Sequence, residues 1–152
     1  MTPLPLEREA ILPRLDDIRK NLQRLEQLSQ LSAETFSEGD PFDLAQHHLR
    51  LALEGIFHIS SHILSRMPGG RAVEYKEIAI KMGELGVISM EFAKKALVPM
   101  AVIRNLLVHH YSKIQPERLR GIIQNHREDI EQFCGHIKDF LKHSEKFGLT
   151  VT

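Results

Sequence analysis

Between Pro41 and Met67 apolar side chains recur on almost every side of what would be one long helix: Leu44, Leu49, Ala52, Leu53, Ile56, Phe57, Ile59, Ile63 and Leu64. At about 3.6 residues per turn they leave a narrow polar stripe through His47, Arg50, Glu54, His58 and Ser61. A helix with that pattern must be surrounded, so it predicts a bundle in which this segment is central and the rest of the chain covers it. Asp40 as N-cap and Pro41 at the first helical position supply a start signal, and "PGG" after Met67 supplies a stop.

The remaining chain offers the covering helices. Ile11, Leu15, Ile18, Leu22, Leu25 and Leu28 repeat at three and four, predicting an amphipathic helix to about Leu31 with Pro13 in its first turns. "SAETFSEGD" reads as a polar connector. "AVEYKEIAIKMGELG" predicts a short helix closing on Gly86. Ser89 can cap a further helix through Val108, bent at Pro99. Pro116 opens a last one, which Leu119, Ile122, Ile123, Ile130, Phe133, Ile137, Phe140 and Leu141 carry to about Lys146. No strand pattern appears. The expected fold is all-α: an antiparallel bundle of four main helices plus a short one, in a single domain over residues 1–152.

Twenty basic residues balance twenty acidic ones, so global charge says nothing about a polyanionic partner. Locally, Lys94, Lys95, Arg104, Lys113, Arg118 and Arg120 face a single acid, Glu117, between Phe92 and Arg120. That is the pattern of a basic surface. The one cysteine, Cys134, excludes an internal disulfide and leaves no thiolate zinc pattern. "MTPLPLEREAILPRL" lacks the basic start and apolar core of a signal peptide, and no run approaches the roughly 18 apolar residues of a membrane span. The chain therefore reads as cytoplasmic, without a membrane partner.

Few positions offer chemistry. No glutamate is followed three residues later by a histidine, which excludes a carboxylate-bridged di-metal bundle. His58 and His62 share a helix face but have no further acidic ligand nearby, the pattern of a solvated or interface pair; no metal site and no cofactor is expected. The exception is "RNLLVHHYSKI", which gathers Arg104, Asn105, His109, His110 and Tyr111. In a regular helix Arg104 and His109 are about 140° apart, whereas Arg104 and Tyr111 lie within about 20° of one face. Either the helix ends near Val108 so that Arg104 reaches back toward the histidines, or a two-fold brings Arg104 and His109 of two copies into one cleft. Glu54 is either the buried acid that holds Arg104 or an i,i+4 partner of Arg50.

"RNLLVHHY" resembles the R-x4-H-x-Y motif of the HepT-like toxins of the HEPN superfamily, with Arg104, the polar Asn105, His109 and Tyr111 each in place. "PMAVIRN", "GRAVEYKEIAIKMGELGVIS" and "FHISSHIL" are similar to that family's segments as well, and the likeness is weakest before Glu34. The resemblance implies a homodimeric, metal-independent ribonuclease acting on tRNA or mRNA. It also implies the toxin role in a pair whose antitoxin, an MntA-type minimal nucleotidyltransferase, silences it by adenylylating Tyr111. The side chains suit this. Histidines ordinarily exchange protons near neutral pH, arginine offers a fixed fork of donors to a phosphate, and Asn105 can orient either group. The competing expectations are a non-catalytic HEPN nucleotide- or RNA-binding adaptor and a purely structural dimer.

Overall fold

A computed structural model of the chain describes residues 2–152. The segment from Asp40 to Ser65 is indeed a single helix, α3. Its buried residues run from Ala45 to Leu64 and include Ser60, whose hydroxyl donates to the Ile56 carbonyl at 2.9 Å. The other helices are α1 (Arg8–Ser29), α2 (Ala33–Ser37), α4 (Tyr75–Glu84), α5 (Met90–Phe92), α6 (Val98–His109), α7 (Pro116–Asn125) and α8 (Arg127–Lys142). As its composition requires, α3 packs against α1, α2, α4, α6, α7 and α8. One contiguous cluster of buried apolar side chains draws on all of these elements. The architecture is the expected all-α bundle. Among the described residues no helix is long and apolar enough to cross a membrane.

Four local expectations need correction. The N-cap of α3 is Gly39 and not Asp40: its φ of 75° and ψ of −127° suit glycine alone, which moves the helix start by one residue. Asp40 and Asp43 lie in the first turn instead, where the helix dipole favours acids. The supposed connector contains α2, capped by the Ser32 hydroxyl on the Thr35 N–H at 3.2 Å and anchored by buried Phe36. The last helix is two, α7 and α8, joined at His126, because the six polar residues from Gln124 to Asp129 interrupt the apolar period. At Pro99 the disturbance takes the form of a π-helical stretch, Ala93–Leu97, between α5 and α6. A proline nitrogen has no hydrogen to give, and a wider turn accommodates the loss. Ser89 caps α5 and Gly86 closes α4, both as the sequence predicts.

α1 lies along α3, and Gly55 marks the contact: a Cβ there would sit 2.9 Å from Ile18 Cγ1. The chain's two ends meet in a parallel bridge between Leu6 and Val151, with Leu6 N–H donating to Thr150 O and Thr152 N–H to Leu6 O, each at 2.8 Å. Cys134 is buried, and burial pushes its thiol up to about 11, so it is inert.

His62 ties the N-terminal segment to α3 by accepting the Glu7 N–H at its Nε2, 3.0 Å away, beside Arg66, which pairs with Glu7 at 3.5 Å. Burial, then the charge of Arg66, hold the His62 pKa below its ordinary value against the opposing pull of Glu7, and Arg14 adds to the depression. The unfolded chain therefore takes up this proton first as pH falls. The stability from neutral His62 is complete above about pH 6.5 and is lost as pH drops from there through the folded value. His48, depressed by burial and by His47 and Arg24, acts in the same sense. Thermal melts should show a falling midpoint between about pH 7 and about pH 5, less steep in His62→Gln, whose amide oxygen still accepts but does not titrate. An identical slope in the variant would rule His62 out as the source.

Candidate active site

α6 buries Met100, Ala101, Ile103 and Leu107 against the core, and this directs Arg104 to the flank of α3. Its side chain is 15% exposed. The guanidinium lies over the Tyr75 ring, 4.1 Å from its centroid, a cation–π contact. Tyr75 opens α4 and is itself braced edge-on by Phe57 of α3, with ring centroids 5.0 Å apart. Arg104 Nη1 donates to Asn105 Oδ1 at 3.4 Å, and Nη2 stands 3.9 Å from Glu54 Oε1. Arg104 Nε is buried without a partner.

The same Glu54 oxygen accepts Arg50 Nη1 at 3.3 Å. Glu54 is therefore the i,i+4 partner of Arg50, and it also stands beside Arg104, but at 29% exposed it is not the buried acid of the other alternative. Two guanidiniums share one carboxylate. Arg104 Nε is an unused buried donor, which an anion would complete.

α6 ends at His109. His110 still donates its N–H to Leu106 O at 2.9 Å, but its φ of −137° and ψ of 30° leave the helix, and Tyr111–Lys113 continue as a 3-10 turn pinned by buried Ile114. His109 and His110 are exposed, and Tyr111 is 63% exposed. Arg104 does not reach back to them. No hydrogen bond or ion pair among the described residues joins Arg104 to His109, His110 or Tyr111. Tyr75 and Glu54 hold the guanidinium on the α3 and α4 side, while His109 lies about 140° around the helix. His109 shares its side of α6 with Val102, seven residues earlier and 42% exposed. Tyr111 stands instead in an open cleft of about 480 Å³ that Asp43, His47, Arg50 and Glu54 of α3 also line.

Sequence reasoning named Arg104, Asn105, His109, Tyr111 and Glu54 but missed Tyr75, because a contact across 29 positions of chain has no spacing signal. His47 and Arg50 were visible as members of the α3 polar stripe; their place in the Tyr111 cleft was not. His58 and His62 are used separately: His58 Nδ1 is 3.3 Å from Arg14 Nη2, and His62 holds the Glu7 N–H. Among the described residues no group of three or more His, Cys, Asp or Glu is placed to hold a metal ion.

Comparison with known proteins agrees with the fold. The protein named tRNA nuclease HepT from Aphanizomenon flos-aquae is 28% identical over 137 residues, covering 90% of this chain and 92% of that protein. The tri-AMPylated Shewanella oneidensis HEPN toxin, solved in complex with an MNT antitoxin, superposes with a TM-score of 0.75 at 23% identity, covering 86% of this chain and 97% of that one. YutE, a cytosolic protein of unknown function from Bacillus subtilis, superposes with a TM-score of 0.77 at 18% identity over 90% of this chain and 92% of its own. Residues 18–137, from the middle of α1 to near the end of α8, match the family described as ribonuclease HepT-like. The chain belongs to the ribonuclease HepT-like family and has the HEPN fold.

Proposed function

We propose that this protein is a metal-independent ribonuclease and the toxin of a toxin–antitoxin pair, acting as a homodimer on tRNA or mRNA. The observation that carries the reading is the Arg104 guanidinium, held against Tyr75 and Glu54 with a buried Nε to spare and an exposed histidine at the end of the same helix. In this reading Arg104 binds the scissile phosphate and opposes the charge that grows on it. One His109 takes the proton of the ribose 2′-hydroxyl as the 2′-oxygen bonds to phosphorus. The bond from phosphorus to the 5′-oxygen breaks, and the leaving oxygen takes a proton from solvent, which yields a 2′,3′-cyclic phosphate. Asn105 orients the guanidinium. The dimer supplies what one chain lacks, since Arg104 and His109 face different ways on α6 and exposed Val102 offers an apolar contact beside His109.

The regulatory half of the proposal is adenylylation of Tyr111 by an MntA-type nucleotidyltransferase antitoxin. The Tyr111 oxygen attacks the α-phosphorus of ATP, the bond to pyrophosphate breaks, and the phenolic proton is lost to solvent. Support comes from the exposure of Tyr111 beside the α3 cleft and from the adenylylated HEPN toxin of similar fold.

The separation of Arg104 from His109 within one chain also suits a second reading, a non-catalytic RNA-binding adaptor. Incubating the purified protein with total tRNA in EDTA decides between them. Cleavage leaving cyclic phosphate ends is expected of the enzyme, whereas binding without cleavage, or strict dependence on added magnesium, would refute it.

A further inference from the structure

Three clefts line the outer face of α3, and they adjoin. The Tyr111 cleft and a second one of about 400 Å³ between α1 and α3 share Glu54 as a wall; the second and a third of about 590 Å³ beside α4 share Arg14 and His58. Arg104 lines none of the three clefts but contacts residues that wall each of them. Its ion-pair partner Glu54 walls the first two clefts, and Tyr75, beneath its guanidinium, walls the third.

Where the second and third clefts meet, Arg14 of α1 and His58 of α3 come together, with Nη2 to Nδ1 at 3.3 Å. Arg14 Nη1 donates to the Ala10 carbonyl at 3.1 Å, which fixes the side chain. Unlike Arg50, Arg66 and Arg104, Arg14 has no carboxylate within ion-pair distance among the described residues. Because His58 Nδ1 accepts from a guanidinium, the neutral ring carries its proton on Nε2, and that donor sits on an exposed side chain. The pair thus stands at an open cleft with the exposed His58 Nε2–H toward solvent and, among the described residues, no carboxylate paired with the guanidinium. His58 is one helical turn, about 6 Å, beyond Glu54 along α3. Lys20 adds a positive charge to the same wall and Asp17 a negative one.

We propose that Arg14 and His58 form a second phosphate-binding point, and that a single RNA strand runs along α3 from the Tyr111 cleft across Arg104 to this pair. The inference rests on the ribonuclease reading above and adds a contact for the RNA backbone outside the Arg104 to Tyr111 motif.

The test uses the full chain carrying His109→Ala, so that RNA is not consumed, and a fluorescein-labelled single-stranded oligoribonucleotide followed by anisotropy at several salt concentrations. Adding Arg14→Ala should weaken binding about tenfold and reduce the slope of log K against log salt by about 0.7, the loss of one phosphate contact to a single strand. Arg14→Lys should keep most of the slope, and His58→Ala should weaken binding with little change in slope. In the chain with His109 intact, Arg14→Ala should raise KM for cleavage more than it lowers kcat. Unchanged affinity and slope in Arg14→Ala, with the helical circular dichroism preserved, would overturn the proposal while leaving the nuclease reading in place. So would a change in dimer mass by light scattering, which would assign this face to a second copy of the chain. Absence of both binding and cleavage by the unaltered protein would instead remove the ribonuclease reading and this inference together.

Discussion

Replacing Arg104 or His109 by alanine is expected to lower RNA cleavage by about 10²–10⁴-fold, with the helical circular dichroism unchanged. Both groups are assigned to the reacting phosphate and neither is a core residue. His109 is exposed, and when Arg104 is truncated Glu54 still has Arg50 at 3.3 Å, so no carboxylate is stranded. A stronger test follows from the separation of the two side chains on α6. If each site pairs Arg104 of one copy with His109 of the other, co-expression of the two inactive variants should restore about a quarter of full activity, because about half of the dimers are mixed and one of their two sites holds both groups. A mixture as inactive as its parts would show that the site does not form across the two-fold. Full activity of His109→Ala alone would refute the mechanism outright.

The second large effect is expected at Tyr111. With ATP, magnesium and an MntA-type enzyme, the adduct should map to this residue and bring cleavage down to the level of the His109→Ala variant. The cause is both charge and bulk. A phosphodiester here would stand close to Arg50 and, across Glu54, to Arg104, competing with the scissile phosphate, while the nucleoside would occupy the cleft of about 480 Å³, a size ordinary for a small-molecule site. Tyr111→Phe keeps the ring and loses the acceptor oxygen, so it should cleave RNA and stay active when the nucleotidyltransferase is present. Mass spectrometry that places the adduct elsewhere, or a Tyr111→Phe protein that is still silenced by modification, would remove Tyr111 as the acceptor and leave the nuclease assignment standing.

Periodicity made the bundle legible. α3 was readable as the central helix because a stretch apolar on most sides admits no other place. The break between α7 and α8 was also in the sequence, as six consecutive polar residues, but the apolar positions on either side continue the period and hide it. α2 is too short for a periodic signal and rests on its Ser32 cap and the burial of Phe36. In the site, proximity along the chain exposed the Arg104 to Tyr111 cluster but left two geometries open, of which the chain does not adopt the one in which Arg104 reaches back to the histidines. Which way Arg104 turns is decided by Tyr75 and Glu54, residues far away in sequence that only packing brings together. Glu54 was left with two alternatives because one carboxylate oxygen in fact serves both arginines, an outcome pairwise spacing does not reveal.

The π-helical stretch Ala93–Leu97 ties chain length to the direction in which Arg104 points. A π turn spends one residue more than an α turn, so every side chain beyond it is rotated by about 100° and set back by about 1.5 Å relative to an uninterrupted helix from Met90. The heading of Arg104 over Tyr75 is therefore counted out by the number of residues between Ser89 and Pro99 as much as by their identity. Of the π-helical stretch only Lys94 and Lys95 are exposed and free to vary, whereas loss or gain of one codon there would re-aim the whole motif, so insertions and deletions should be purged from it while the loop before α4 tolerates them.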